Sequence, residues 1–396
     1  MIVINTPQIE TEGDFVFISA DIEINGVIEK LWYKFPVEFK KFLVTENVDA
    51  FLVGILFLGL KSGNDITLKG SVSARLFYTL RHYLIPALTF ANPEFHKIKI
   101  FARQLNYEDL NRGKISGTGM SCGIDSFATY FDHLKEAGPY KINYFTFFNV
   151  GSHLDFGGEK ARKIYQNRLK SVNEFAQNEG KEVISVDSNL SEILKMNFQQ
   201  THSLRSLSCA LHLQKMFKNY YYASAYRFNH FKLNPKDTSD FDLFNVQMLS
   251  TESTNFFASA AQYSRVERTI MVAEHPETYQ KLNVCTNPSL QSDFINCSSC
   301  YKCLRTQLTL DIANKLDLYK DVFDIRRYYK IKDQYIGQLL TKNKKSPLDI
   351  EVIEFLKLHK YKPSVNIYYY GVTSWLNFHR TKFKKLIKDS VKKISK

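Results

Sequence analysis

An alternation of strand-like and helix-like segments, beginning near residue 113, most constrains the fold of this 396-residue chain. Four short apolar runs predict buried strands: 115–120, 142–150, 182–186 and 220–225. The intervening segments show the apolar spacing of helices: 127–135, 162–180 and 205–217. Because parallel strands must be joined by long crossovers, usually helices, this order predicts an α/β fold with a parallel sheet.

A separate α+β domain is expected over residues 1–110. The dipeptide Asn25-Gly26 lies between strand-like runs at 15–24 and 27–35. It predicts a hairpin, because Asn-Gly supplies the positive φ angles of a type I′ turn. The apolar run 50–60 is too short for the roughly 20 residues that span a bilayer, so it predicts a buried helix. Further elements are predicted as a strand at 66–69, a helix at 71–84 and a strand at 97–102.

The hexapeptide Ser121-Cys122-Gly123-Ile124-Asp125-Ser126 lies between a predicted strand and a predicted helix. A helix N-terminus presents backbone N–H groups and a partial positive charge, so this position suits a phosphate group. Ser126 adds a hydroxyl, and Asp125 is able to orient a metal-bound phosphate. The alternative interpretation is an ordinary helix cap.

Four of the six cysteines lie within nineteen residues, as Cys285, Cys297, Cys300 and Cys303. Two thiolates separated by two residues grip one tetrahedral ion from a tight turn, and four thiolates close a structural zinc site. The cluster therefore predicts Zn²⁺ in a structural role. Free thiols and an iron–sulfur cluster remain as alternatives.

The loop string resembles the Ser-Gly-Gly-x-Asp-Ser signature of the PP-loop ATP pyrophosphatases, with Cys122 where the family has glycine. The resemblance implies a HUP-like, Rossmann-like parallel-sheet domain. It also implies that the segment 121–126 binds Mg²⁺ and ATP, which is cleaved between the α- and β-phosphates. The residues implied to hold the nucleotide are Ser121, Cys122, Gly123, Asp125, Ser126 and, by fold analogy at the end of the second parallel strand, Asn149. The loop has no lysine, unlike a Walker A sequence.

The cysteine cluster ends in Cys303-Leu304-Arg305, and its combination with the loop resembles the 7-cyano-7-deazaguanine synthases, the QueC family. The resemblance covers residues 113–310 and lacks a counterpart for the N-terminal part and the basic tail. It implies a PP-loop domain with a zinc site over 111–310. Residues 311–396 are expected to form a helical C-terminal region that includes the basic tail. The implied activity is that of an ATP-dependent ligase that adenylates a carboxylate or nucleobase-like substrate for amidation or nitrile formation. Longer QueC-like chains also occur in bacterial antiviral defence operons.

Several further side chains are candidates for the site. Arg265 and Arg268 offer planar, permanently charged groups that would bind a carboxylate or the leaving pyrophosphate. Together with Asp125 they are the catalytic candidates. A solvated helix start explains the two arginines equally well. His202, Arg205 and His153 lie near predicted strand ends, where packed or surface roles are the more common outcome.

The formal net charge of +13 is concentrated at the C-terminus, where residues 380–396 carry eight Lys or Arg and one acid. This tail predicts a basic amphipathic helix that contacts an anionic membrane, a nucleic acid or the body of the protein. The tyrosine-rich run 367–370 is expected to be a strand. A secretory leader pattern is missing at the N-terminus, so a cytoplasmic protein is expected. A homo-oligomer and protein partners are also expected.

Two functions besides the ligase fit the sequence. One is a nucleotide-binding scaffold in a defence or assembly complex, a hypothesis that rests on Cys122 in place of glycine. The other is a tRNA-modifying PP-loop enzyme, because the tail is basic.

Overall fold

The structure of the protein, a computed structural model, describes residues 1–285, 293–342 and 345–394, with side chains through residue 380. The chain forms two compact units, Met1–Gln262 and Tyr263–Lys396. The boundary between the two units lies after Gln262, whereas the domain boundaries expected from the sequence lie after residues 110 and 310.

The first unit contains an eleven-stranded sheet in the order β11-β10-β7-β8-β9-β4-β3-β1-β5-β6, with β2 paired to β3. Its strands are β1 (Ile2–Ile4), β2 (Gln8–Glu12), β3 (Phe15–Ile24), β4 (Val27–Pro36), β5 (Ile66–Ser73), β6 (Ile100–Asn106), β7 (Ile115–Gly119), β8 (Ile142–Asn149), β9 (Glu182–Ser188), β10 (Phe217–Ala223) and β11 (Asn255–Ser259). Its helices are α1 (Asp49–Ser62), α2 (Ala74–Thr79), α3 (Ile85–Ala91), α4 (Ile124–Asp132), α5 (Glu159–Asn178), α6 (Leu190–Leu194), α7 (His202–Leu211) and α8 (Asp242–Met248).

Strands β7 to β11 are parallel throughout. The chain adds β8 and β9 on one side of β7, then crosses back to add β10 and β11 on the other side. Helices α4 and α5 cover one face, where the Phe127 and Phe175 rings pack with centroids 4.9 Å apart. Helices α1 and α7 pack together, with the Phe51 ring 5.0 Å from His212 at the end of α7. The predicted α/β class with a largely parallel central sheet is confirmed.

The N-terminal strands continue the same sheet rather than forming a sheet of their own. Strand β4 pairs antiparallel with β9 through Tyr33↔Ser188 and Lys34↔Asp187. The junction is reinforced by Asn189, whose amide accepts from the Trp32 backbone N–H at 2.9 Å. Because β4 and β9 share this ladder, residues 1–110 and the parallel strands belong to one compact unit.

The predicted hairpin and buried helix are both present. Asn25 and Gly26 have φ angles of 52° and 88° and connect β3 directly to β4. Helix α1 is buried over most of its length and ends at Gly63, which has a φ of 68°. The predicted helix at 71–84 is only partly correct, because strand β5 continues to Ser73. The Ser73 hydroxyl then caps α2 by accepting from the Leu76 N–H.

The second unit is helical over the residues that the structure describes, in agreement with the predicted helical C-terminal region. Its helices are α9 (Arg265–Val272), α10 (Tyr301–Ile312), α11 (Ile325–Thr341), α12 (Pro347–Leu358) and α13 (Val365–Ile394). Within the described part of the chain, no helix is both long and apolar enough to cross a membrane.

The tyrosine-rich run at 367–370, predicted to be a strand, is instead part of α13. Helices α11 and α13 approach closely at Gly337 and Gly371, and a Cβ on Gly337 would lie 2.6 Å from the Ile367 carbonyl oxygen. Ile367 is buried at this contact, whereas Tyr368 and Tyr369 are exposed. Tertiary packing therefore overrides the strand preference of consecutive tyrosines. The predicted apolar face of the basic tail falls on side chains outside the described residues.

Candidate functional site

The loop between β7 and α4 lies at the carboxyl end of the central parallel strand. The backbone N–H groups of Ser121 and Gly123 both point to Ser126 Oγ, at N···O distances of 3.3 and 3.1 Å. Ser126 Oγ in turn donates to the Gly123 carbonyl at 3.0 Å. The first backbone bond of α4 joins Phe127 N–H to the Gly123 carbonyl. The loop therefore wraps its amides around one small hydroxyl at the N-terminus of a nine-residue helix.

Cys122 occupies the left-handed region of backbone space, with a φ of 56°, and its side chain is buried. This conformation costs a residue with a Cβ about 1 to 2 kcal/mol, whereas glycine adopts it freely. The loop thus has at residue 122 the backbone geometry that glycine favours, although a cysteine stands there.

A cleft of about 340 Å³ opens where the strand order reverses, beside β7 and β10. Its volume lies within the range of about 300 to 1,000 Å³ that small-molecule sites have, and open parallel sheets bind ligands at such a reversal. Polar side chains that line it are Ser121, Asp125, Ser126, Thr146, Ser152, His202 and Ser206, and aromatic side chains that line it are Phe147, Phe148, Phe198, Tyr220, Tyr221 and Tyr222. The cleft therefore joins the loop to a lining in which polar and aromatic side chains are mixed.

Five of the nucleotide residues predicted from the sequence belong to the segment 121–126, and the sixth, Asn149, lies at the end of β8. Asn149 ends β8 as predicted, but its side-chain amide donates to Asp187 at 2.7 Å. Asp187 also accepts from Arg162 at 3.1 Å. Asn149 thus fastens the ends of β8 and β9 to each other, and its predicted contact with the nucleotide stays a prediction.

Arg265 and Arg268 both belong to α9 in the second unit. The backbone N–H of Arg265 donates to Glu351 at 2.7 Å, and a capping box formed by Ser264 and Glu267 begins the helix. Arg268 is fully buried. Burial of Arg268 contradicts a solvated helix start, and the catalytic roles of the two arginines stay predictions.

The second candidate site is the cysteine cluster, in the second unit. All four sulfur atoms lie within 4.8 Å of one another. Cys303 Sγ is 3.9 Å from Cys297 Sγ and 3.3 Å from Cys300 Sγ. Sulfur ligands at about 2.3 Å from a tetrahedral ion are about 3.8 Å apart, so the spacing fits a metal ion held by four thiolates.

The local backbone brings the sulfur atoms of the cluster together. Ser298 has a φ of 57°, which turns the chain between Cys297 and Cys300. The Cys300 N–H then points at Cys297 Sγ at 3.3 Å. Cys300 precedes α10, and Cys303 lies in the first turn of that helix, where the helix dipole favours a thiolate. The arrangement of Cys297, Cys300 and Cys303 is thus one turn followed by a helix start.

No protein-family model, curated protein or solved structure matches this chain.

Asn296 supports the cluster and was not recognised in the sequence. Its side-chain oxygen accepts from the backbone N–H groups of Val284 and Cys285 at 2.8 and 3.1 Å. Its side-chain nitrogen donates to the carbonyls of Leu282 and Val322 at 2.8 and 3.1 Å. This fully buried amide therefore holds the chain segment that contains Cys285 against the segment that contains Cys297. The only indication of this role in the sequence is that Asn296 directly precedes Cys297.

Replacing Asn296 with alanine is expected to speed the release of metal from the cluster by about 10- to 100-fold, because residues that orient metal ligands contribute on this scale. Release is measured by adding a chelator with a colorimetric zinc dye to the full chain. Asn366→Ala, an exposed asparagine in the same unit, is the control and should release metal at the wild-type rate. Equal rates for both variants would contradict the role of Asn296.

Arg205 shapes one wall of the cleft from inside the protein. Its guanidinium is fully buried and donates to the carbonyls of Val150, Asp155 and Met196 at 3.2, 3.2 and 2.6 Å. Burial lowers the pKa of Arg205 to about 10, which leaves it charged at neutral pH. Gly151 has a φ of 116°, and a Cβ there would lie 2.5 Å from Arg205 Nη1. Arg205 therefore fixes the loop that carries Ser152.

The Arg205→Met variant is expected to lower the free energy of unfolding of the first unit by about 3 kcal/mol, because it leaves several buried carbonyl groups unpaired at about 1 to 3 kcal/mol each. Urea unfolding followed by tyrosine fluorescence measures the change. Arg103→Met removes an exposed arginine of the same unit and should change the free energy of unfolding by less than about 0.5 kcal/mol. A shift of that small size for Arg205→Met would contradict the role of Arg205.

His153 is a packed residue rather than a catalytic one. Burial and the nearby Arg168 lower the pKa of His153 to about 3, so its ring is neutral. The ring packs edge-on against the stacked rings of Phe147 and Tyr165, with centroid distances of 5.2 and 5.3 Å. His202, by contrast, lines the cleft.

Proposed function

We propose that the first unit binds Mg²⁺-ATP in the cleft and transfers AMP to a carboxylate, as an enzyme of the PP-loop type. The observation that carries this proposal is the position of the loop 121–126, at the carboxyl end of β7 where the strand order reverses. Its amides and the N-terminus of α4 supply donors and positive potential for phosphate oxygens. The loop contains no lysine, which favours cleavage between the α- and β-phosphates over transfer of the γ-phosphate.

The reaction has two steps in this proposal. A carboxylate oxygen attacks the α-phosphorus, the bond to the β-phosphate oxygen breaks, and pyrophosphate leaves with its negative charge. An amine or ammonia then attacks the acyl carbon, AMP leaves, and the amine loses one proton. In this proposal the N–H groups of Ser121 and Gly123 and the Ser126 hydroxyl, which bond to one another within the loop, would turn to the oxygens of pyrophosphate and stabilise its developing charge. Asp125 would hold Mg²⁺.

The cysteine cluster holds Zn²⁺ in this proposal, in a structural role. Four thiolates close the coordination sphere, so no position is left for a substrate. Together the loop and the cluster support a QueC-like ligase, whose substrate is a carboxylate on a deazaguanine or similar nucleobase, on a nucleotide sugar or on a protein.

The test measures AMP and pyrophosphate formed from Mg²⁺-ATP by the full chain. The probes are 7-carboxy-7-deazaguanine and ammonium chloride. Wild type should release AMP, and Asp125→Ala should reduce the rate at least 100-fold. Glu136→Gln, which removes an exposed acid that follows the same helix, should keep the wild-type rate. Binding of ATP without formation of AMP, from this or other carboxylates, would instead favour a nucleotide-binding scaffold. Cys122, at a position suited to glycine, is the residue on which that alternative rests.

A further inference from the structure

Three side chains from separate segments form a hydrogen-bonded row at one wall of the cleft. His202 Nδ1 lies 2.6 Å from the Tyr222 hydroxyl oxygen. On the other side of the ring, His202 Nε2 lies 3.3 Å from Asp237 Oδ1 and 2.9 Å from Ser239 Oγ. His202 and Tyr222 line the cleft, and Asp237 lies behind them.

Asp237 is held as an anion. Burial opposes its ionisation, but the hydrogen bond from His202, the positive charge of that ring when it is protonated, and the hydrogen bonds from Ser239 together lower the pKa of Asp237. The Gln199 side chain donates to its second oxygen. These contacts therefore favour an ionised carboxylate beside Nε2.

The anion determines which nitrogen of His202 carries the proton. A lone pair on Nε2 would face the Asp237 carboxylate, so the proton belongs on Nε2. Nδ1 is then an acceptor, and the Tyr222 hydroxyl is its donor. The hydrogen bonds of the row therefore all donate in the same direction: Tyr222 donates to His202, and His202 donates to Asp237.

Tyr222 is not a base in its resting state. Burial, followed by the Asp242 and Asp237 carboxylates, raises its pKa well above the usual value for a phenol. The phenol oxygen therefore gains a proton from a substrate only if its own proton moves to His202 at the same time.

We infer that Asp237, His202 and Tyr222 form a proton relay, in which Tyr222 is a catalytic residue and His202 and Asp237 are positioning residues that act through it. The inference rests on the proposed function and names the acceptor that its second step needs. When the amine attacks the acyl carbon, one N–H proton passes to the Tyr222 oxygen and the Tyr222 proton passes to His202 Nδ1. AMP leaves, and the imidazolium beside Asp237 returns the proton to water.

The alternative is a row that only packs this wall. A packing role predicts loss of both reaction steps together with loss of stability, because the wall would deform. A relay predicts a loss that is concentrated in the second step, in which the amine gives up its proton.

The test compares the two steps in the full chain with 7-carboxy-7-deazaguanine as the probe. Exchange of labelled pyrophosphate into ATP measures the first step, and amide formation with ammonium chloride measures the second. Tyr222→Phe and His202→Gln should slow amide formation about 100-fold, a typical contribution of general base catalysis, and slow exchange less than tenfold. Equal losses in the two steps would overturn the relay.

A matched control is available in the same region. His230 forms a similar pair with Asp240, at 3.1 Å between Nε2 and Oδ1, and does not line the cleft. His230→Gln should leave both rates at the wild-type value, and a loss equal to that of His202→Gln would overturn the relay.

A spectroscopic measurement separates failure of the relay from failure of the proposed function. In protein labelled with ¹⁵N-histidine, the neutral ring of His202 should carry its proton on Nε2 and none on Nδ1. The Nδ1 signal should shift in Tyr222→Phe, which removes the donor, and the proton should leave Nε2 in part in Asp237→Asn. If wild type shows no pyrophosphate exchange, the proposed function fails while this spectrum still decides the relay. A proton on Nδ1 in wild type would overturn it.

Discussion

The Cys300→Ser variant is expected to retain less than about a tenth of the zinc of the wild-type chain and to unfold its second unit at a lower temperature. A serine hydroxyl remains protonated at neutral pH and does not replace a thiolate ligand. Structural zinc contributes about 10 to 16 kcal/mol of binding free energy in small zinc domains, so losing one of four ligands removes a large part of it. Metal analysis and calorimetric unfolding of the full chain measure the two effects.

The control for this variant is Cys209→Ser, the same substitution at a buried cysteine of the first unit. It should keep close to one zinc per chain. Iron in the wild-type protein would contradict the zinc assignment, and full zinc retention by Cys300→Ser would contradict the ligand set.

The Ser126→Ala variant is expected to lower the rate of AMP formation about 100-fold. Its hydroxyl is the group on which the Ser121 and Gly123 amides converge, so its removal changes the donor geometry at the phosphate site. Removing one preorganised donor around a developing anion costs about 10²- to 10³-fold in rate. The rate is measured with labelled ATP at saturating Mg²⁺.

Ser171→Ala is the matched control, because Ser171 lies on α5 outside the cleft lining. It should keep the wild-type rate. A urea unfolding midpoint of Ser126→Ala close to that of wild type would show that the loss of rate is local. A wild-type rate in Ser126→Ala would contradict the role of the loop.

Features with a local signature were predictable from the sequence. Asn25-Gly26 requires two positive φ angles in succession, and the turn has them. The cysteine cluster is nearly contiguous, so its spacing alone indicated a common site, and its sulfur atoms do lie together. The segment 121–126 was correctly expected to join a strand to a helix, because both elements have clear apolar patterns, although α4 begins at Ile124 and not at 127.

Features that depend on distant partners were not predictable. Tyr33 pairs with Ser188 although nothing in the two sequence segments indicates that they are neighbours. This pairing makes the strands of the predicted N-terminal domain part of the main sheet. The run 367–370 has strong strand preference, but the glycine contact of α11 with α13 places it in a helix. Such outcomes are set by tertiary packing, which a single sequence does not display.

The polar contacts of the cleft show the same limit. His202 and Asp237 are separated by thirty-five positions and meet only because α7 and the segment before α8 pack at one end of the sheet. A lone histidine in the sequence gave no sign of this partner. Asn149, in contrast, was placed correctly on its strand, but its side chain bonds to Asp187.

ATP bound at the loop 121–126 is expected to be cleaved between its α- and β-phosphates. The most direct test of this cleavage is to incubate the full chain with [α-³²P]ATP, Mg²⁺, 7-carboxy-7-deazaguanine and ammonium chloride, and to identify the labelled product. Labelled AMP in wild type, lost in Asp125→Ala, is the predicted result. Labelled ADP in place of AMP would contradict this expectation.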